Sequence, residues 1–410
     1  MRKEEYGFFS ILLEEAVEIL KDYTKYGKEQ HIEEVELMQG LGRVAAQDYT
    51  AMVSQPPFDR SPLDGYAVRS CDIENAAAEH PVSLQVVEEI LAGDYPAKKI
   101  EAGKAARIMT GAPLPEGADC VVKQEDTDYG EQNVQIYHPV GAWKNVCFQG
   151  EDFKQGDCLI QKGTRISAIE LGILASMGYA TVQVYENPRI GIFTTGDELM
   201  LPGQQLKPGK IYNSNLPMLW GRLKELGVEP ILAECLPDTE EGVAEELAKI
   251  LDKVDLVITT GGVSVGKKDI MHEALNLLGA DKIFWKVKLK PGTPSIFAVA
   301  KGVPIVALSG NPFGAITNLE LLVRPILAQM TGDEKILPER KWAVMEQGFL
   351  KESKVRRFIR GIYRNGKVTL PEGLHSSGVL GSMQGCNCLI DIPAGNQGIH
   401  AEEKVEVILL

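Results

Sequence analysis

The hydrophobic pattern in the middle third of the chain alternates between two kinds of segment. Short apolar, β-branched runs occupy residues 189–194, 228–233, 255–260 and 303–308. Longer stretches with helical periodicity lie between them or follow them, at residues 214–226, 239–252, 269–278 and 314–330. Strands that alternate with helices of this length are typical of βαβ units, in which helices cover both faces of a parallel sheet. The pattern therefore predicts a central, doubly wound α/β domain.

The regions on either side of this segment have a different pattern. Residues 54–147 combine many turn signals, such as Asp64-Gly65, with short alternating runs, which predicts a mostly β region. After residue 331 the pattern is again β, with a hairpin signal at Asn365-Gly366 and a closing strand in the last eight residues. The N-terminal segment has the periodicity of an amphipathic helix. The predicted fold class is a multidomain α/β plus β protein.

Composition limits the classes of function that the chain can have. It has 410 residues, 43 Lys and Arg against 57 Asp and Glu, and a net charge of −14. This length predicts two to four domains, and the acidic balance argues against a general nucleic-acid binder. No window approaches the ~18 apolar residues of a membrane span. Seven scattered cysteines without a CxxC pair are typical of reduced thiols and predict a cytoplasmic protein. We predict no histidine or cysteine metal site.

Three glycine-containing loops follow the predicted strands. They are Thr194-Thr195-Gly196-Asp197-Glu198, the segment from Thr260 to Gly266 with Gly261, Gly262 and Ser264, and Ser309-Gly310-Asn311-Pro312. Ligands of open parallel sheets bind where strands lead into helix N-termini, and free N–H groups there favour an anion. None of the loops matches a P-loop or a dinucleotide fingerprint. Each alone is equally consistent with a tight turn, but three at one sheet edge favour a phosphorylated ligand.

Carboxylates cluster at the same predicted edge. They are Asp197, Glu198, Asp238 and Asp269. Carboxylates beside phosphate-binding loops favour Mg²⁺, a hard cation that takes oxygen ligands. The alternative for Asp238 and Asp269 is helix N-capping.

Two groups of cations complete the candidate chemistry. Alternation places Lys286, Lys288 and Lys290 on one face of a predicted strand, where Lys286 and Lys288 are also consistent with a solvated edge. Lys290 adjoins Pro291-Gly292 and is better placed to bind an oxyanion. A second anion site is possible in the C-terminal region, although surface charge is the alternative for at least two of its three arginines. Its members are Arg356, Arg357, Arg360, Ser376 and Ser377.

The motifs along the chain together resemble those of the molybdopterin molybdenumtransferases, the family of MoeA and the gephyrin E domain. They are SPLDGYAV (61–68), RIMTGAPLPEGAD (107–119), GED (150–152), TTGDEL (194–199), GGVSVG (261–266), WKVKLKPGTP (285–294) and SGNPFG (309–314). The resemblance spans nearly the whole chain. It implies an N-terminal helix (1–26) near the α/β domain, a discontinuous first domain (27–53 and 148–187), a β domain (54–147), an α/β molybdopterin-binding domain (188–330) and a β-barrel-like domain (331–410).

The resemblance also implies a reaction, in which molybdate is inserted into adenylylated molybdopterin, AMP is released and molybdenum cofactor is formed. The implied catalytic residues are Asp64, Thr110, Glu198, Asp238 and Asp269, with Glu198 and Asp269 as Mg²⁺ ligands. The implied ligand-binding residues are Gly196, Asp197, Gly261, Gly262, Ser264, Gly310, Asn311, Pro312 and Lys290, with Arg360 and Ser377 as looser matches. The implied partners are a second copy that contributes Asp64 and Thr110, an upstream molybdopterin adenylyltransferase, and recipient molybdoenzymes or their chaperones.

Three departures from the family's pattern concern charge and hydroxyl groups. In place of KPGKP the chain has Thr293 where the second lysine would stand, and in place of PGNPVS it has Gly314 where the last serine would stand. Cys147-Phe148-Gln149 replaces arginines that often precede GED. Loss of one cation from an oxyanion site costs about 1–3 kcal/mol. Three alternatives stay open: a non-catalytic molybdopterin carrier, a paralogue that uses another oxyanion such as tungstate, and an unrelated nucleotide or sugar-phosphate enzyme on the same scaffold.

Overall fold

The computed structural model describes residues 10–24, 32–263 and 270–410. Within these ranges the helices are α1 (Leu13–Thr24), α2 (Ala168–Ser176), α3 (Asn215–Glu225), α4 (Glu240–Ile250), α5 (Ile270–Leu277), α6 (Pro312–Asn318) and α7 (Arg324–Thr331). A π-helical turn, Leu319–Val323, joins α6 to α7 into one continuous helix. None of the helices in these ranges is long and apolar enough to span a bilayer.

The strands are numbered in chain order. They are β1 (Ile32–Glu36), β2 (Tyr49–Thr50), β3 (Gly65–Val68), β4 (Val82–Ile90), β5 (Lys104–Ile108), β6 (Cys120–Lys123), β7 (Asn133–Ile136), β8 (Cys158–Ile160), β9 (Thr181–Tyr185), β10 (Ile190–Thr194), β11 (Leu199–Met200), β12 (Ile211–Tyr212), β13 (Pro230–Cys235), β14 (Leu256–Thr260), β15 (Asp281–Trp285), β16 (Leu289–Lys290), β17 (Ile296–Ala300), β18 (Val303–Leu308), β19 (Arg340–Met345), β20 (Arg356–Arg364), β21 (Lys367–Thr369), β22 (Cys388–Ile392) and β23 (Lys404–Leu409).

The chain forms two compact units. The first unit comprises the described parts of residues 1–46, 163–167 and 181–410, and the second unit comprises residues 47–162 and 168–180. The second unit is built on a five-stranded sheet in the order β6-β3-β5-β4-β7, with a core that includes Tyr66, Leu84 and Val122. The mostly β pattern of residues 54–147 therefore does form a β sheet.

The first unit contains the α/β sheet, in the order β13-β10-β14-β18-β17-β15. The four strands from β13 to β18 run parallel and correspond to the four runs in the hydrophobic pattern. The antiparallel strands β17 and β15 extend one edge, and the pattern did not predict them. The sheet is therefore mixed rather than wholly parallel.

Helices cover both faces of this sheet, as the alternating pattern predicted. Side chains of α1, α3 and α6–α7 share one apolar core with the strands, in which Leu20, Leu219 and Leu322 are completely buried. On the opposite face, α4 and α5 contribute Leu247 and Leu275 to a second core. The predicted doubly wound α/β architecture is confirmed.

The C-terminal region forms a closed barrel. Its strands pair in the order β20-β21-β19-β23-β22, and β22 also pairs with β20, which closes the ring. The predicted hairpin lies between β20 and β21, where Asn365 (φ 48°) and Gly366 (φ 80°) both adopt the left-handed conformation that a two-residue turn of this type requires. β16 pairs in parallel with the first two residues of β20, and this pairing places the Lys290 turn beside the barrel.

Candidate functional site

The first glycine loop follows β10 at the carboxyl edge of the sheet. The Thr195 hydroxyl donates to Asp238 Oδ1 (2.8 Å) and the Asp197 N–H donates to Asp238 Oδ2 (3.0 Å). The N-cap of α4 is Thr239, whose hydroxyl accepts from the Gly242 N–H. Because Thr239 provides the cap, the N-capping alternative for Asp238 is wrong. Asp238 instead joins the first glycine loop to the connection between β13 and α4.

The Glu198 carboxylate folds back over this loop. Gly196 has φ 155°, and a Cβ atom there would lie 2.7 and 2.8 Å from the two Glu198 carboxylate oxygens. Glycine at this position is what leaves room for the carboxylate. Of the other predicted residues, Ser264 and Asp269 lie outside the described residues. Within the described ranges no group of three or more His, Cys, Asp or Glu side chains is arranged to hold a metal.

The second glycine loop lies between the first and the third. Gly261 has φ 104°, and a Cβ atom there would lie 2.2 Å from the Thr195 carbonyl oxygen. A Cβ atom on Gly310 would lie 3.5 Å from the Gly261 Cα. The second loop therefore packs against both the first and the third, and a side chain at Gly261 would separate it from the first.

Asn215 holds the second and third loops together, and the sequence analysis missed it. Its Nδ2 donates to the Thr260 hydroxyl (3.0 Å) and to the Gly310 carbonyl (2.8 Å), while the Thr260 hydroxyl donates to the Ser309 carbonyl (2.8 Å). A similar amide, Asn213, donates to the Thr194 hydroxyl (2.7 Å). The signal for both was the Asn-Ser-Asn sequence at the start of a predicted helix.

A second candidate site lies in the first unit, beside the Lys290 turn. It is a cavity of about 630 Å³, which we call the lysine-turn cavity. Its walls are residues 290–294, Ser309, Asn311, Phe313, Phe349, Lys351, residues 357–359 and residues 374–377. The predicted residues Lys290, Asn311 and Ser377 are thus brought together. The predicted alternation of three lysines along one strand is wrong, because β15 ends at Trp285 and Lys286 has φ 71°.

Buried hydrogen bonds between Asn318, Gly292 and Ser295 fix the Lys290 turn. Asn318 donates to the Gly292 carbonyl (3.0 Å) and to the Ser295 hydroxyl (2.7 Å), and that hydroxyl donates to the same carbonyl (2.9 Å). Asn318 and Ser295 are both completely buried. The turn is therefore fixed against the start of the π-helical segment.

Arg360 lies behind the cavity wall rather than in it. It is 1% exposed and donates to the Val379 carbonyl (2.6 Å), the Ser382 hydroxyl (2.7 Å) and the Ser376 carbonyl (2.7 Å). Burial lowers the pKa of this guanidinium. These bonds position the loop that carries Ser377, and direct anion binding by Arg360 stays a prediction.

The two substituted positions of this region have clear local geometry. The Thr293 hydroxyl donates to the Leu289 carbonyl and so closes the turn. A Cβ atom on Gly314 would lie 2.8 Å from the Ser309 Oγ and 3.0 Å from its Cβ. The Ser309 hydroxyl therefore lies beside position 314, and Ser309 lines the cavity.

In the second unit, Asp64 and Thr110 form a hydrogen-bonded pair. Asp64 precedes β3 and Thr110 follows β5, and Gly65 and Ile108 are register partners in these strands. Asp64 Oδ1 accepts from the Thr110 N–H (2.7 Å) and hydroxyl (2.8 Å), and these bonds lower the pKa of the carboxyl. The pair lines an open cavity of about 570 Å³ with Lys123, Glu125 and Asp126.

A sheet edge with three converging glycine loops is typical of α/β proteins that bind phosphorylated ligands. Family models match residues 11–178 (MoeA N-terminal region), 191–329 (probable molybdopterin binding domain) and 343–410 (MoeA C-terminal region).

Relatives match along nearly the whole chain. A molybdopterin molybdenumtransferase of Bacillus subtilis is 37% identical over 407 residues, 98% of this chain and 94% of the relative. One of Staphylococcus epidermidis is 36% identical over 397 residues, 95% of each chain. A crystal structure of a MoeA protein from Pyrococcus horikoshii superimposes with a TM-score of 0.84 at 32% identity, covering 98% of this chain and 99% of that one. The chain belongs to the molybdopterin molybdenumtransferase (MoeA) family, and the predicted family and fold are confirmed.

Proposed function

We propose that the protein inserts molybdate into adenylylated molybdopterin, releases AMP and so forms molybdenum cofactor. The observation that carries this proposal is the pairing of two sites in the first unit. One is a sheet edge where three glycine loops come together, and the other is a cavity lined by cationic side chains. A pterin phosphate and an oxyanion are ligands of these two kinds.

The residues at the glycine loops fit a bound Mg²⁺. Both Asp238 oxygens accept hydrogen bonds from the first loop, and the Glu198 carboxylate folds over Gly196 beside them. Mg²⁺ in phosphate sites is commonly held by one or two carboxylates together with substrate oxygens. Glu198 would be one ligand and Asp269 the second. The ion would stabilise negative charge on the phosphoanhydride as AMP leaves, while Asp238 keeps the loop in place and the glycines admit the substrate's phosphates.

We further propose that the active form is a homodimer in the cytoplasm. Asp64 and Thr110 of one copy would complete the glycine-loop site of the other, where the ionised Asp64 would orient a polar group of the substrate. The substrate would come from a molybdopterin adenylyltransferase, and the product would pass to molybdoenzymes or their chaperones.

The test supplies the purified protein with adenylylated molybdopterin and Mg²⁺ and measures AMP release with molybdate, with tungstate and with neither. The expected result is release that molybdate stimulates and that Glu198→Gln abolishes without a change in melting temperature. Tight pterin binding without oxyanion-dependent release would instead favour a carrier. Selective stimulation by tungstate would identify tungstate as the substrate.

The dimer has its own test. Asp64→Asn and Glu198→Gln chains, each inactive alone, are mixed and allowed to exchange subunits. If the residues act across a symmetric dimer, the mixture recovers about a quarter of wild-type turnover, because half of the dimers are mixed and each of these has one intact site. If both residues act within one chain, the mixture stays inactive.

A further inference from the structure

The lysine-turn cavity has cationic side chains but no carboxylate in its lining. Its charged groups are Lys290, Lys351 and Arg357, and His375 adds an imidazole. Cations gathered in a concave site without counter-charges attract anions. The cavity therefore fits an anion even though the family's second lysine is replaced by Thr293.

Arg357 is held next to Lys290 by strand pairing. β16 and β20 run parallel, and Lys290 and Arg357 are register partners. Neighbouring strands lie about 4.8 Å apart and register partners project to the same side of a sheet. The Lys290 and Arg357 side chains therefore lie side by side in the cavity lining. The Arg357 guanidinium also lies over the Phe349 ring, 5.8 Å from its centroid.

The neighbouring arginines in β20 differ sharply in their partners. Arg356 pairs with Asp391 and with Glu14, so its charge is neutralised. Arg357 makes no ion pair in the part of the chain that the structure describes; it donates one bond to the Glu352 carbonyl (3.2 Å), and its Nε is buried without a partner. A buried, unpaired guanidinium donor costs free energy unless a ligand accepts its hydrogen bond.

We propose that Arg357 and Lys351 bind the oxyanion substrate and supply the positive charge that Thr293 does not. This inference rests on the proposed function and assigns two of its binding residues. The Arg357 Nε–H and a terminal N–H can bind two oxygens of one tetrahedral anion. Lys351 is an exposed residue of the cavity lining and adds an ammonium group.

The same lining implies a preference among oxyanions. Molybdate and tungstate carry no proton at neutral pH and only accept hydrogen bonds, whereas hydrogen phosphate also needs an acceptor for its own proton. Among the described residues, the lining offers that proton only neutral acceptors, such as the Ser309 and Ser377 hydroxyls and the Asn311 amide, and no carboxylate, which would accept it more strongly. We therefore expect the cavity to bind molybdate and tungstate more tightly than phosphate.

The experiment measures direct binding of molybdate, tungstate and phosphate to the full chain by equilibrium dialysis with elemental analysis. Arg357→Gln and Lys351→Gln are expected to raise the molybdate Kd about tenfold each, because each removes a charge-assisted bond. Lys354→Gln is the matched control, since Lys354 belongs to the same segment but does not line this cavity. Thr293→Lys in the Arg357→Gln background is expected to restore most of the affinity. Melting temperatures check that every variant folds.

The outcomes separate this inference from the proposed function. If both glutamine variants bind molybdate as tightly as Lys354→Gln does, the inference is overturned while the transferase activity can still stand. Phosphate binding as tight as that of molybdate would also overturn it. If molybdate binds, and the variants weaken it, but AMP release does not respond to molybdate, the inference stands and the proposed function fails.

Discussion

The glycine-loop edge and the lysine-turn cavity are built in opposite ways. The edge is formed mainly by backbone atoms. Gly196 leaves room for the Glu198 carboxylate, and Gly261 lets the second loop approach the Thr195 carbonyl. The Thr195 hydroxyl also donates to Asp238. In the cavity, side chains from five separate segments form the walls. A backbone site tolerates few substitutions where loops meet, because a Cβ atom added at Gly261 would collide with the neighbouring loop. A side-chain site can exchange its groups, because a charge or hydroxyl can be supplied from another segment.

The largest expected effect comes from closing the backbone site. Gly261→Ala would place a Cβ atom 2.2 Å from the Thr195 carbonyl at a left-handed φ of 104°. Overpacking and backbone strain together should lower the free energy of unfolding by about 3 kcal/mol. Pterin binding should be lost because the first and second loops are forced apart. Chemical denaturation and pterin fluorescence measure the two effects.

Gly279→Ala is the matched control for this variant. Gly279 also has a left-handed φ, 70°, but no atom lies within 4 Å of its added Cβ. It should cost only about 1 kcal/mol and leave pterin binding unchanged. Equal losses in the two variants would show that backbone strain alone, and not the contact between loops, explains the importance of Gly261.

The difference between the regions also explains what the sequence could predict. The three loops are contiguous motifs that follow apolar runs, so their residues and their common edge were predictable. The roles of Arg356, Arg357 and Arg360 were not, because their partners lie far away in the sequence: Asp391 neutralises the first, and Ser376, Val379 and Ser382 engage the third. Only the pairing of β16 with β20 brings Arg357 beside Lys290.

Strands β15 and β17 escaped prediction for a related reason. Their segments flank the Lys290 turn, and the alternating lysines suggested one continuous exposed strand there. In the structure Lys286 has a left-handed backbone conformation, which interrupts the strand after Trp285. The Lys286 Nζ lies 3.8 Å from the centroid of the Trp285 ring. The pattern of polar and apolar positions cannot show a break that depends on a single dihedral angle.

An intermediate effect on stability is expected at positions 314 and 309, where the chain has a glycine in place of the family's serine and a serine hydroxyl close by. Gly314→Ser alone would bring its Cβ within 2.8 Å of the Ser309 Oγ, and should lower the free energy of unfolding by about 1–2 kcal/mol. Adding Ser309→Ala removes that oxygen and should recover at least half of the loss. Thermal and chemical denaturation of the single and double variants measure the coupling.

Molybdate binding by the same variants sharpens the comparison. The double variant returns one hydroxyl to the region from position 314, so it should bind molybdate better than Ser309→Ala alone does. If the losses of stability in Gly314→Ser and Ser309→Ala simply add in the double variant, the idea that the two positions can exchange one hydroxyl is contradicted.

The smallest expected effect is on the pH dependence of stability. Burial, together with the positive charge of Arg360, lowers the pKa of His375 in the folded chain. The folded chain therefore binds fewer protons than the unfolded chain between that lowered pKa and the ordinary value of about 6.5. The stabilisation from neutral His375 is complete above pH ~6.5 and is lost as the pH falls through the lowered pKa.

His375→Gln should accordingly flatten the fall in melting temperature between pH 7.5 and 5, with only a small change at pH 7.5. The slope will not vanish, because burial and the nearby Lys282 and Lys286 also lower the pKa of His272, and His272→Gln should flatten the curve in the same direction. A steeper slope in His375→Gln would mean that protonated His375 is stabilised in the folded chain. That result would contradict a cavity whose fixed positive charge opposes a further cation.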